Sequence, residues 1–282
     1  MKKKLIISTL VSSLLIVVLL ITGLSRISHV PFSGQSFSTK QPPATVQTKQ
    51  KNWKVAVIGN SLMRLGNQTK YLQEIGQLYG TNITIDYHLI DGFTLHQHLT
   101  NVKDDQNETR KALKTADIVI FQEYGTRYAT TYKDISAMCK YMRCSARAYY
   151  YMTEFDNENY LLTRNTKDDL IAKLKKNGVN IIEAESLIQS LLNMKYRYTQ
   201  LHMPNDYHPN AANGYTCSIL MYCQIFGKKC TDYPIRNCPK NYRSFLKGKT
   251  WTKKQKSLHQ ILKQAEQIRQ HKGNSIFSDK KK

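Results

Sequence analysis

Lys54-Val55-Ala56-Val57-Ile58-Gly59-Asn60-Ser61-Leu62 (KVAVIGNSL) is the stretch on which the fold turns. Its first six residues form a short apolar run closed by glycine, the pattern of a strand buried on both faces. A helix is predicted behind it over Leu62–Tyr79, because Leu65, Tyr71, Leu72, Ile75 and Leu78 recur close to every 3.6 residues. Outward from there the same alternation repeats. Strands are predicted at Ile83–Leu89, Asp117–Gln122 (DIVIFQ), Ala146–Met152 (ARAYYYM) and Val179–Glu183. Helical stretches are predicted at Leu95–Thr115, Thr166–Lys176, Glu185–Met194 and Ala211–Phe226. Short strands separated by helices predict an α/β chain with three layers, α/β/α, around a central, mostly parallel five-stranded sheet. In such sheets the functional residues gather in loops at the carboxyl ends of the strands.

Composition sets the limits. Hydrophobic residues make up 41% and aromatics 10% of the 282 residues, enough to exclude wholesale disorder. Lys and Arg number 42 against 20 Asp and Glu, a net charge of +22 that favours polyanionic neighbours. Residues 1–4 are a basic N-terminus, and Leu5–Leu24 carries no charge. Twenty residues at about 1.5 Å each span roughly 30 Å, the thickness of a bilayer core. The run ends at Thr22-Gly23-Leu24 with no small-x-small cleavage site before Arg26, so residues 5–24 are expected to be an uncleaved transmembrane signal-anchor. The three lysines then stay in the cytoplasm and the rest lies outside, single-pass at the cell membrane, or secreted if the segment is cleaved. Residues 25–52, with Pro31, Pro42 and Pro43 and no apolar period, read as a tether, and 53–238 as the globular domain.

Residues 239–282 form a basic extension in which 13 of the 42 lysines and arginines fall. Leu258, Ile261, Leu262, Ala265 and Ile268 share one helical face there. Such a helix either docks on the domain with its basic face in water or meets anionic lipid or wall polymer. No nucleic-acid module is present, and an external location argues against nucleic acid as a partner. The six cysteines show no C-x2-C spacing, which disfavours structural zinc. Local disulfides Cys139–Cys144 and Cys230–Cys238 are expected, with buried thiols as the other reading.

Three segments carry the chemistry. Ser61 follows the first strand at the start of a helix, where its hydroxyl is exposed and backbone N–H groups are free. Taken alone, such a serine or Asn60 also reads as a helix N-cap. Asp206-Tyr207-His208-Pro209-Asn210 precedes the last core helix and holds a histidine with a carboxylate close by, as a base for a serine needs. His96 and His98 are expected on a helix surface, His29 in the tether, and His259 and His271 in the tail, while His88 and His202 stay open. Gly92, after the second strand, offers a backbone N–H and Gln122, ending the third, a side-chain amide, both suited to hold an oxyanion.

Serine after strand one, glycine after strand two, an amide after strand three and histidine before the last helix resemble, in that order, the SGNH (GDSL-like) hydrolases. The likeness covers about residues 54–227 and is strongest in VAVIGNSL and DYHPNAANGY, where Asn210 and Gly214 also fit. It implies the flavodoxin-like three-layer fold, Ser61 as nucleophile, His208 as base, and an oxyanion hole from Ser61, Gly92 and Gln122, with no cofactor and no metal. Asn60 replaces the aspartate of the GDS motif, and FQEYG resembles the LQEQS version of the third block. The family's orienting aspartate lies three residues before the histidine, where this chain has Asn205; Asp206 lies two before. Either Asp206 reaches the imidazole, or the site is a Ser–His dyad oriented by a neutral group. The resemblance implies an exported serine esterase removing acyl groups, acetyl foremost, from a cell-surface carbohydrate polymer. Two alternatives share the fold: an O-acyltransferase using the same residues, and a catalytically inactive surface-binding protein. Tyr124, Arg127, Glu154 and Asp156 fall in loops that could line the cleft.

Overall fold

The KVAVIG run sits at the centre of the sheet, with a neighbour on each side. The computed structural model describes residues 52–124, 128–153 and 160–270. The expected anchor, the tether up to residue 51, the tail beyond 270, and Arg127, Glu154 and Asp156 lie outside the described residues. No helix among the described residues is long and apolar enough to cross a membrane. Strands β1 (Asn52–Gly59), β2 (Asn82–Leu89), β3 (Ile118–Gln122), β4 (Arg147–Tyr151) and β5 (Asn180–Ile182) form one sheet in the order β2-β1-β3-β4-β5. All four pairings are parallel, with Val55 opposite Ile118 and Ile85 across the two ladders. This is the flavodoxin-like order, in which the strand sequence reverses at β1 and loops converge above the β1 and β3 ends.

Alternate side chains of each strand enter two cores. Val55, Val57, Ile118, Ile120, Tyr149, Tyr151 and Ile182 meet one layer of helices: α2 (Gln68–Leu78), α7 (Ala184–Asn193) and α9 (Ala211–Phe226). Ala56, Ile58, Val119, Phe121, Ala148, Tyr150 and Ile181 meet the other: α3 (Leu95–Val102), α4 (Glu108–Thr115), α5 (Tyr128–Cys139) and α6 (Tyr160–Lys176). The three-layer α/β/α expectation is met. Helix α9 is buried nearly all round because α2, α7 and the C-terminal α11 (Trp251–Gln270) pack against it. Leu258, Ile261, Leu262, Ala265 and Ile268 of α11 are buried in this core, so the apolar stripe faces protein.

Several local expectations need correction. The helix predicted over 62–79 is two helices, α1 (Ser61–Arg64) and α2, broken where Asn67 takes φ +56°. The stretch 95–115 is likewise divided, α4 starting at the Asn107 cap, whose side chain accepts the Thr109 N–H. Helix α5 was not anticipated: its mixed polar sequence has little apolar period. The expected disulfides are not formed, since all six cysteines are free thiols. Cys217, Cys223, Cys230 and Cys238 are buried, Cys139 is half-buried and Cys144 is exposed.

The break after α1 has a packing cause. A Cβ on Gly214, in the first turn of α9, would overlap the backbone carbonyl of Gly66. Only glycine lets α9 approach the α1–α2 turn so closely. Gly214→Ala is therefore expected to cost about 1–3 kcal/mol by overpacking. Urea unfolding should show a lower midpoint with an unchanged slope, and an unshifted midpoint would refute the close approach.

Candidate active site

Every segment singled out by the sequence ends at the same edge of the sheet. Asn60 caps α1, its Oδ1 accepting the Leu62 N–H at 3.1 Å, which leaves Ser61 as the first helical residue directly past β1. Ser61 Oγ lies 2.9 Å from Nε2 of His208, 147 residues away in sequence. His208 Nδ1 in turn lies 2.8 Å and 2.9 Å from the two carboxylate oxygens of Asp206. A carboxylate can only accept here, so Nδ1 carries the proton and Nε2 is free to accept from the serine hydroxyl. Ser61, His208 and Asp206 are thus joined in one hydrogen-bonded line.

The two-residue spacing that departs from the family pattern is resolved by backbone conformation. Asn205 adopts φ +57°, in the left-handed region that Asn tolerates, and this tightens the loop so that Asp206 turns back onto the ring. The Asp206 carboxylate also accepts the backbone N–H of His208 at 3.2 Å. The hydrogen bond from His208 holds the Asp206 carboxyl below the usual carboxylate range. The loop's base is closed by an antiparallel bridge between His202 and Pro209, and by Met203 N–H donating to His208 O at 2.9 Å. Asn210 fastens it further. Its Oδ1 caps α9 through the N–H groups of Ala212 and Asn213, while its Nδ2 donates to the carbonyls of Gln200 and His202. Asn205 itself makes no contact with the imidazole that would give it the orienting place.

Gly92 follows β2 in a turn closed by Phe93 N–H to Ile90 O at 3.1 Å, where φ +72° requires glycine. Two contacts tie this turn to α1: Asn60 Nδ2 donates to Phe93 O at 3.0 Å, and Arg64 pairs with Asp91 through Nε at 2.8 Å. Arg64 holds the Asp91 carboxyl below its ordinary range by that hydrogen bond, and His208 adds a smaller electrostatic effect. The Ser61 N–H belongs to the first turn of α1, where no intrahelical acceptor exists.

Gln122 requires correction. It is 0% exposed, and its amide is engaged inside the protein: Oε1 accepts the Asn60 N–H at 2.8 Å and Nε2 donates to Glu123 O at 2.9 Å. It holds the backbone that precedes Ser61. The reason is that β3 lies beside β1 in the sheet, so a side chain at its end reaches the β1 turn directly.

His98 also differs from expectation. It is fully buried, and its Nε2 donates to Gly59 O at 2.9 Å, the carbonyl that also accepts Ile90 N–H at 3.2 Å. Leu95, His98 and Val102 occupy one buried face of α3, and that i, i+3, i+7 spacing was the available signal. Glu123, buried beside Gln122, accepts the Leu95 N–H at 2.8 Å and anchors the start of α3. Of the open histidines, His202 stacks on Tyr198 and His88 pairs with Asp86 on β2. Tyr207 is 50% exposed and stacks on His208 at 4.5 Å between centroids, with Tyr124 edge-on to it at 5.9 Å. Among the described residues no group of His, Cys, Asp and Glu could hold a metal ion.

No family model and no curated protein sequence matches this chain. Solved structures do resemble it. A DUF4886 family protein from Bacteroides uniformis is 18% identical with a TM-score of 0.54, covering 75% of this chain and 95% of that one. A provisionally assigned SGNH hydrolase from Slackia heliotrinireducens is 18% identical, with a TM-score of 0.46 over 61% of this chain and 97% of that one. TesA is 13% identical, with a TM-score of 0.48 over 60% of this chain and 97% of that one. At such identities the likeness is one of fold alone, the three-layer α/β/α arrangement around a parallel sheet.

Burial lowers the His98 pKa, so it is neutral in the native protein at neutral pH. The unfolded imidazole takes up its proton near pH 6.5 and the folded one only at lower pH, so the unfolded state binds more protons in between. Stability is therefore expected to fall as pH drops below about 6.5. His88, also lowered by burial, adds to the same trend. His98→Gln keeps a donor for Gly59 but cannot titrate, and should lose less stability between pH 8 and pH 5 than the parent in urea unfolding. Equal losses would contradict a buried neutral His98.

Proposed function

We propose that this chain is a serine esterase that removes acyl groups, acetyl foremost, from a carbohydrate polymer outside the cell. The observation that carries this reading is the Ser61–His208–Asp206 line at the carboxyl edge of the sheet. His208 Nε2 takes the hydroxyl proton as Ser61 Oγ attacks the ester carbonyl, and Asp206 stabilises the imidazolium that forms. The N–H groups of Ser61 and Gly92 receive the oxyanion, and Gln122 acts as a positioning residue through Asn60. His208 then protonates the leaving alkoxide. Water, activated by the same imidazole, attacks the acyl-serine and releases the acid. The two-residue offset of Asp206 from His208 is accommodated by the Asn205 turn.

Three features support the substrate and place. The uncharged run Leu5–Leu24 is long enough to anchor the chain, with the globular part exported. A net charge of +22 draws the protein toward acidic wall polymers and lipid headgroups. Tyr207, exposed and stacked on His208, offers a ring face of the kind that sugar rings pack against.

Ser61→Ala is expected to abolish labelling by an activated fluorophosphonate and to lower kcat/KM on an aryl acetate by about 10⁴-fold or more. Asp206→Asn should lower kcat by about 10²–10⁴-fold with labelling slowed rather than lost. Labelling that persists in Ser61→Ala, or parental turnover in it, would exclude Ser61 as the nucleophile. Acetate release from an O-acetylated glycan, measured with and without an added sugar acceptor, reads hydrolysis against transfer.

A further inference from the structure

A concave site lies on the α9 side of the sheet, and neither Ser61, His208 nor Asp206 lines it. It is a cleft of about 420 Å³ between α2, the N-terminal end of α9, and the short helices α8 (Tyr198–Leu201) and α10 (Lys240–Phe245). Its floor is aromatic. Tyr71 meets Tyr215 edge-on at 5.1 Å, Tyr215 meets Tyr242 at 4.7 Å, and Tyr242 meets Phe245 at 5.3 Å, all four buried. Its rim is polar: the exposed side chains of Thr199, Asn241 and Ser244 stand around the mouth, with Gln200 half-buried beside them.

None of the side chains lining the cleft is acidic or basic, although the chain as a whole carries +22. A site for an anion on so basic a protein would be expected to use that charge. An aromatic floor ringed by hydroxyls and amides suits a neutral polyhydroxylated ring, whose C–H face packs on π-systems while its hydroxyls bond at the edge. The size lies within the range of small-molecule sites, roughly 300–1,000 Å³. The cleft is also wired to the catalytic loop. Gln200 O and Asn210 Nδ2 share a hydrogen bond, and the segment between these two residues carries Asp206 and His208. From these features we propose that the cleft is a non-catalytic subsite for a neutral sugar unit, holding a glycan while another part of the same chain reaches Ser61.

The delivery role rests on the esterase reading above, but sugar binding does not. The test is isothermal titration of the full chain with the neutral tetrasaccharide of β-linked N-acetylglucosamine, alongside aryl acetate hydrolysis. Ser244→Trp and Thr199→Trp place a bulky ring at exposed rim positions and leave the buried floor intact. The expected result is saturable binding with Kd of about 1 mM or tighter, weakened about tenfold or more in both variants, with aryl acetate hydrolysis unchanged. Absence of saturable binding, or equal affinity in parent and both variants, overturns the proposal. If aryl acetate is not hydrolysed by any of the three proteins, the esterase reading fails while the titration still decides the subsite.

Discussion

Where Gly214 passes the carbonyl of Gly66, the last core helix comes to rest on the turn behind the serine. Helix α9 begins at the Asn210 cap, two residues after His208, and α1 begins at Ser61 itself. The Ser61 and His208 side chains therefore inherit their separation from one helix-to-turn approach. A side chain at position 214 would push the start of α9 outward and open the 2.9 Å contact between Ser61 and His208. Packing, rather than any attraction between the two groups, places them. That is why a glycine in the helix is worth its usual propensity cost of about 1 kcal/mol.

Beneath the serine lies a layer of buried polar groups that bond to the backbone around it, with Nδ1 of His98 left without a partner among the described residues. Gln122 holds the Asn60 N–H, His98 holds the Gly59 carbonyl, and Glu123 holds the Leu95 N–H. Thr153 closes the layer by donating to the Glu123 carbonyl at 2.8 Å. The bonds to the Asn60 and Leu95 N–H groups satisfy backbone donors that would otherwise be buried without a partner, at about 1–3 kcal/mol each, while the Gly59 and Glu123 carbonyls each accept from two donors. The same bonds fix the turn that presents Ser61. Rigidity at Ser61 and the stability of the sheet edge thus share residues. Asp206, by contrast, is more than a third exposed, so its hold on His208 is partly screened by solvent.

The C-terminal helix joins this architecture rather than hanging from it. Its apolar stripe closes the core over α7 and α9, and Glu266 accepts the Cys230 N–H at 2.7 Å while pairing with Arg269. With that stripe buried, insertion of the apolar face into a membrane interface is unavailable. What the helix leaves to solvent is charge: Lys253, Lys256 and Lys263 are exposed. The basic surface can steer polyanions electrostatically, an effect that falls off over about 10 Å at ordinary ionic strength.

The strand order of residues was readable because buried parallel strands are written as continuous apolar runs, and KVAVIG, DIVIFQ and ARAYYYM are such runs. Ser61 and His208 were readable because each sits at a junction between regular elements, where a polar side chain has a positional reason. The face of a helix was readable in principle from spacing, and His98 shows the limit. Its place beside Leu95 and Val102 identifies it as buried, but not what it bonds. Gln122 looked like a free donor, and only the sheet, by laying β3 next to β1, directs its amide to Asn60. Asp206 could not be assigned from its two-residue offset, because the offset is compensated by a backbone angle at Asn205 that leaves no mark in composition. The chain alone determined which residues are apolar, at what period, and which polar groups stand at element ends. Contacts between residues far apart in sequence, such as Ser61 with His208 and Gly66 with Gly214, were decided only on folding. They depend on how closely two backbones can approach, and that is a property of the pair rather than of either segment.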